Sequence, residues 1–159
     1  MLKSTKIAIA LGGNLGNPEE NFRIAAQKLI DGGCEELQTS RIYRSAAVDC
    51  VANTPDFCNA ALCGKWKGSA LELLHLCQRI EREAGRPAEH SQREARTLDL
   101  DIILFGDEVC DTPELTLPHP RAQNRRFVLE PLSELIPDDR FPDTGMKIAE
   151  CLRKSSPKI

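Results

Sequence analysis

No apolar run in this chain of 159 residues approaches the roughly 20 residues that a membrane-spanning helix needs. The opening stretch, Met1-Leu2-Lys3-Ser4-Thr5-Lys6-Ile7, lacks the long apolar core and small-residue cleavage site of a secretion signal, so the expected location is intracellular, in the cytoplasm. Neither Gly-x-x-x-x-Gly-Lys-Ser/Thr nor Gly-x-Gly-x-x-Gly occurs. The turn Gly12-Gly13-Asn14-Leu15-Gly16-Asn17 and the later Gly64-Lys65-Trp66-Lys67-Gly68-Ser69 therefore make no phosphate loop, and any nucleotide site must be built from other parts. Seven cysteines at irregular spacings include no Cys-x-x-Cys. That argues against a disulfide framework or a zinc site and for reduced thiols filling small core positions. Charge of neither sign dominates: the net value of -3 supplies no general attraction to nucleic acid or to an anionic membrane, and neither is expected as a partner.

What is present fits one domain spanning 1-159, with 41% hydrophobic and 28% charged residues. Lys6 to Leu11 reads as a short apolar strand. A helix follows, with Asn17 as cap, Pro18 in its first turn, an apolar stripe of Phe22, Ala25, Ala26, Leu29 and Ile30, and a stop at Gly32-Gly33. Cys34 to Tyr43 reads as a strand, Arg44 to Pro55 as irregular, and Asp56 to Cys63 as a further strand. The second helix has a capping box, Ser69 with Glu72, a stripe of Leu73, Cys77, Ile80 and Ala84, and a stop at Gly85. Arg86 to Ala95, largely polar and poor in regular-structure signals, reads as a mobile loop. A short helix is expected near Met146 to Arg153.

The chain is organised around Arg96-Thr97-Leu98-Asp99-Leu100-Asp101-Ile102-Ile103-Leu104-Phe105-Gly106. Apart from two aspartates, Leu98 to Phe105 is entirely Leu, Ile and Phe, and reads as a buried strand. Residues two apart on a strand share a face, with alpha carbons roughly 6.6 to 7 Å apart, so the carboxylates of Asp99 and Asp101 can share one or two cations. Burying two like charges unpaired is costly, and oxygen donors favour Mg²⁺ over zinc. The alternative is that both lie at a solvated sheet edge or pair with Arg96 and a neighbour. Strand, helix, strand, strand, helix, strand is the order of a split β-α-β. The expected fold class is thus α+β, a ferredoxin-like antiparallel sheet with helices on one face and a C-terminal extension.

Four stretches in order, IAIALGGNLGN, PDFCNAAL, RTLDLDIILFGDEV and LTLPHPRAQNRRFVLEPL, make the chain resemble the 6-hydroxymethyl-7,8-dihydropterin pyrophosphokinases of folate biosynthesis. The resemblance implies transfer of pyrophosphate from ATP to the pterin hydroxymethyl oxygen, with two Mg²⁺ ions, in a chain expected to act as a monomer on small-molecule substrates. It implies that Asp99 and Asp101 are the metal ligands, and that they and two arginines, Arg86 and Arg96, form the catalytic set. Arg86, Arg96, His119 and Arg125 match the positions that hold the triphosphate. Leu74, Gln78, Glu81, Ile102 and Thr116 match those around the ribose and adenine. For the pterin it implies Phe57 and Phe127 as ring-stacking partners, Asn59 as the amide that reads the polar edge, backbone groups of Ser45, Ala46 and Val48, and Asp99 again. The chain departs from the family at Ala46, Ala47 and Asp49, and at Gln92 to Ala95.

Two other classes share parts of this pattern. A ferredoxin-like single-stranded RNA-binding module would use aromatics on adjacent strands and a basic face, whereas here the net charge is negative and the distinctive strand carries two acids. A metal-dependent phosphohydrolase or glycosyltransferase needs the same Asp-x-Asp but no pair of ring-stacking phenylalanines.

Overall fold

The computed structural model describes residues 3–14, 16–45, 57–85 and 98–155. Four strands form the main sheet: β1 (Thr5–Gly13), β2 (Glu35–Thr39), β4 (Phe57–Trp66) and β5 (Asp99–Phe105), ordered β2-β4-β1-β5 and antiparallel throughout. A three-residue strand, β3 (Tyr43–Ser45), pairs with the other end of β4. Helices α1 (Pro18–Asp31) and α2 (Ala70–Glu83) follow β1 and β4, which completes the ferredoxin-like order. A two-stranded ribbon, β6 (Cys110–Asp111) with β7 (Thr116–Leu117), leads to α3 (Arg126–Leu135) and α4 (Ile148–Lys154).

Alternation along the strands divides the core in two. Ile7, Ile9 and Leu11 of β1, with Ala60 and Leu62 of β4, face α1 and α2, where Phe22, Leu29, Leu73, Cys77 and Ile80 meet them. Ala8 of β1 and Ala61 of β4 face the other way, under Val128, Leu129 and Leu132 of α3 and Ile148 and Cys151 of α4. Alanines on this second face let α3 approach the sheet closely. The C-terminal extension thus covers the face that a two-helix unit would leave open.

In β5 the alternation breaks once. The register with β1 shifts between Ala8 and Ile9, which pair with Leu104 and Ile102, leaving Ile103 as a bulge. Leu100 and Ile102 point to the first core, Ile103 and Leu104 both to the second, and Phe105 returns to the first.

Both caps expected from the sequence form. Asn17 accepts from the Glu20 amide at 3.2 Å, and Ser69 and Glu72 exchange hydrogen bonds of 3.0 and 2.8 Å. Two expectations need correction. The segment from Cys34 to Tyr43 is no single strand: β2 ends at Thr39, Ser40 turns the chain by bonding to Ala61, and Tyr43 begins β3, which runs on into the stretch taken as irregular. Ile30, assigned to the apolar stripe, is 47% exposed, because α1 turns the neighbouring Leu29 fully inward. The apolar residues from Leu98 to Phe105 are buried as expected, and β5 takes an edge position, paired to β1 alone. Phe127 to Leu132, for which no element was expected, lies in α3, whose interior Pro131 is a residue that normally argues against a helix.

Leu29→Ala should cost about 2 to 5 kcal/mol of stability as a fully buried truncation, and Ile30→Ala no more than about 0.5. Urea unfolding of both variants checks this, and comparable losses would contradict the placement of α1.

Candidate active site

The second face of the sheet is covered by α3 and α4 over most of its length, and the chemistry-bearing residues gather at one end. Antiparallel register sets them in a row across four strands: Tyr43 lies opposite Asn59, Asn59 opposite Gly12, and Gly12 opposite Asp99. The next rung back is Ala61, Ala10 and Asp101. Asn59 shares its face with Ala61, and Asp99 and Asp101 share theirs with Ile103, all on the side of the second core. At the centre of the row Gly12 has no side chain, and a methyl placed there would sit 3.6 Å from Asn59 Oδ1, in ordinary contact. The glycine leaves a shallow floor between the amide and the carboxylate.

Asp99 is half-buried and Asp101 exposed. The sheet-edge alternative is therefore the right location for these acids, and the cost of burying charge is no longer an argument for a metal. The donor set still fits one cation class. Two carboxylates share a face, and among the described residues no three His, Cys, Asp or Glu side chains cluster to close a coordination shell. Mg²⁺ commonly takes one or two carboxylates and completes its octahedron with water and phosphate oxygens.

Helix α3 brings the aromatic and cationic parts. Phe127, in its first turn, packs against the second core, and the Arg125 guanidinium lies 5.6 Å from the Phe127 ring centre. Phe57 is half-buried on β4, on the Asn59 face. The backbone of Ser45 lies opposite Phe57.

Beside Asp101 stand an imidazole and two guanidinium groups, His119, Arg121 and Arg125. Burial pushes the His119 imidazole below its usual range; Asp101 opposes this, and Arg125 and Arg121 add to it. Burial likewise lowers Arg125, with Arg121 in the same sense and Asp101 against. His119 Nδ1 accepts the Arg121 amide proton at 3.3 Å, which puts the proton of the neutral ring on Nε2. The His119 amide donates to Ile103 O at 3.1 Å and holds this loop to the outer edge of β5. Arg121 carries no assignment from the sequence. Its effect on His119 and Arg125 places it in this group.

The residues matched to the nucleotide straddle the same edge. Leu74, Gln78 and Glu81, spaced four and three apart, share one side of α2. Leu74 packs on the first core, Gln78 is exposed, and the Glu81 carboxylate accepts the Leu100 amide proton at 2.7 Å. Glu81 thus ties α2 to β5, a bond that no local pattern foretells. Ile102 is buried in the first core, and Thr116 on β7 donates to Asp111 Oδ1 at 3.2 Å. Arg86, Arg96, Ala46 and Val48, and the loop from Arg86 to Ala95, lie outside the described residues.

A family model described as 7,8-dihydro-6-hydroxymethylpterin-pyrophosphokinase matches residues 8–137. A 2-amino-4-hydroxy-6-hydroxymethyldihydropteridine pyrophosphokinase of Pseudomonas aeruginosa is 36% identical over 152 residues, 92% of this chain and 90% of the relative. A Haemophilus influenzae protein of the same name is 38% identical over 137 residues, 86% and 84% of the two chains. A folate synthesis bifunctional protein of Arabidopsis thaliana is 37% identical over 131 residues, and the match spans 27% of that longer relative. Among solved structures, wild-type Plasmodium falciparum HPPK-DHPS with pteroate superposes with a TM-score of 0.74 at 14% identity, over 97% of this chain and 43% of that one, a likeness of fold. With the family model covering most of the sequence and two relatives aligned over nearly their whole length, the chain belongs to the 7,8-dihydro-6-hydroxymethylpterin-pyrophosphokinase family.

Proposed function

We propose that this chain transfers the pyrophosphoryl group of ATP to the hydroxymethyl oxygen of 6-hydroxymethyl-7,8-dihydropterin, a step of folate synthesis. The observation that carries this reading is the row Asn59, Gly12, Asp99, which lays an amide, an open floor and a carboxylate side by side on one face of the sheet.

A pterin is flat, apolar on its faces and rich in donors and acceptors at its edge. Phe57 and Phe127 offer it ring contacts, and the 7% exposed Asn59 amide offers donor and acceptor geometry in a site that strips away water. Gly12 supplies the room. The hydroxymethyl group would then lie toward Asp99, where the triphosphate meets it.

In the transfer, the pterin oxygen forms a bond to the β-phosphorus as the bond from that phosphorus to the α,β-bridging oxygen breaks. AMP leaves with the bridging oxygen, and the hydroxyl proton is released. Such chemistry depends mainly on alignment and on offsetting negative charge. Asp99 and Asp101 would hold Mg²⁺, which when bound there would offset charge on the triphosphate oxygens. Arg125 and His119 Nε2–H would hold the phosphates from the other side, with Arg86 and Arg96 assigned to the same task by their motif positions. Leu74, Gln78, Glu81, Ile102 and Thr116 would receive the nucleoside along the β5 edge. Burial, with Arg125 and Arg121, holds His119 below its usual range, which favours the neutral ring that donates from Nε2.

Incubation with ATP, Mg²⁺ and the hydroxymethyl pterin should yield AMP and pterin pyrophosphate in equal amounts. ADP or inorganic phosphate as the product would instead support a phosphohydrolase or a kinase of another kind. Asp101→Asn should lower turnover by about 10² to 10³-fold, the scale seen when one preorganised electrostatic group is removed, with the melting temperature little changed. Near-normal turnover at low Mg²⁺ would make the acid structural.

Phe127→Ala should weaken pterin binding about tenfold and ATP binding far less, since an aromatic partner contributes on the order of 1 kcal/mol beyond its burial. Separate titrations of the two ligands decide it, and equal losses would return Phe127 to the core.

A further inference from the structure

The ring slot has two walls on different elements, and something must hold them at a fixed separation. Phe127 stands at the start of α3, while Asn59 and Phe57 stand on β4 beside β3. Among the described residues β3 contributes three, Tyr43 to Ser45, paired to β4 alone.

Glu134 lies seven residues beyond Phe127, two helical turns along, and so on the same side of α3 roughly 10 Å away. Its carboxylate accepts the hydroxyl proton of Tyr43 at 2.8 Å and the Arg41 amide proton at 3.2 Å. Tyr43, the sole tyrosine of the chain, is the β3 residue opposite Asn59. The Arg41 guanidinium lies 4.9 Å from the Tyr43 ring centre, and its Nε is 3.6 Å from Glu134. That ion pair contributes little, because the Arg41 side chain is 76% exposed. The Tyr43 and amide bonds to a charged acceptor carry the contact. On the opposite side Ser40 is pinned to Ala61 by two bonds of 2.9 Å, so the β2 to β3 crossing is held to the sheet as well as to the helix.

The position of Glu134 is unfavourable for α3 itself. A carboxylate in the last turn of a helix faces the negative end of the dipole, and no basic residue in that turn offsets it. A residue that works against its own helix while bonding two groups of another element points to a task between the elements.

We infer that Glu134 is a positioning residue that sets the width of the pterin slot by fastening α3 to β3. The inference rests on the reading of that slot as the pterin site. Without the Glu134 bonds, β3 is released from α3, and the spacing of Phe127 from the Asn59 rung rests on the packing of Val128, Leu129 and Leu132 alone. The ring then meets a looser slot, while the β5 edge, held by Glu81 and His119, is untouched.

The test is titration of a non-hydrolysable ATP analogue with Mg²⁺, followed by titration of the hydroxymethyl pterin at saturating analogue. The proteins are wild type, Glu134→Ala, Glu134→Gln, Tyr43→Phe and, as a control for the slot, Phe127→Ala. Glu134→Ala should weaken pterin binding about tenfold and leave analogue binding within about twofold of wild type. Glu134→Gln should recover most of the loss, because its amide oxygen still accepts from Tyr43 and Arg41. Tyr43→Phe should show a smaller loss in the same ligand, and it carries the test if Glu134→Ala does not fold. Unchanged pterin affinity in both Glu134→Ala and Tyr43→Phe, or equal losses for the two ligands, would overturn the inference and leave the slot reading standing. Wild type that binds the analogue but no pterin, or Phe127→Ala that binds pterin like wild type, would overturn the slot reading and this inference with it.

Discussion

The pairing of β1 with β5 is the constraint on which the site depends. Its register puts Asp99 against Gly12 and Asp101 against Ala10, and strand alternation then turns both carboxylates toward the second face. A slip of one residue would drive them into the core between α1 and α2, among Leu73, Cys77 and Ile80, where unpaired charge is not tolerated. The bulge at Ile103 serves the same end. It lets Ile103 and Leu104 fill the second core below the acids while Phe105 closes the first, so the apolar half of the strand anchors its polar half from both sides.

An edge strand suits this task better than a central one. Its outer backbone groups stay open to partners other than a strand, and here they are taken by Glu81 from α2 and by the His119 loop. These bonds bring the helix matched to the nucleoside and the cations matched to the phosphates onto the strand that carries both carboxylates. A net charge of -3 conceals this local arrangement, in which His119, Arg121 and Arg125 gather around one exposed aspartate.

Much of this was legible in the sequence, because the signals were local. The caps at Asn17 and Ser69, the face shared by Asp99 and Asp101 and the order of elements all follow from short spacings. The edge position of β5 was hidden, since an apolar run reads as a buried strand whether neighbouring strands or flanking helices do the burying. Pro131 concealed α3, and with it the fact that Phe127 sits on a helix. Contacts such as Tyr43 with Glu134, or Leu100 with Glu81, join residues far apart in the chain and leave no periodic trace. The pterin and phosphate roles came from motif resemblance. For Arg86, Arg96, Ala46 and Val48 that resemblance stands alone, outside the described residues.

A cavity of about 880 Å³ lies at the opposite end of the sheet, lined by residues including Lys6, Lys65, Phe105 and Arg140, so this hollow and the side-chain chemistry point to different ends. Mapping amide chemical shifts on addition of the ATP analogue, Mg²⁺ and pterin separates them in one measurement. The account predicts the largest changes at Gly12, Asn59, Asp99, Asp101 and Phe127, with Lys65, Phe105 and Arg140 unmoved. Changes centred on Lys65, Phe105 and Arg140, with the Asn59 to Asp99 row silent, would contradict it.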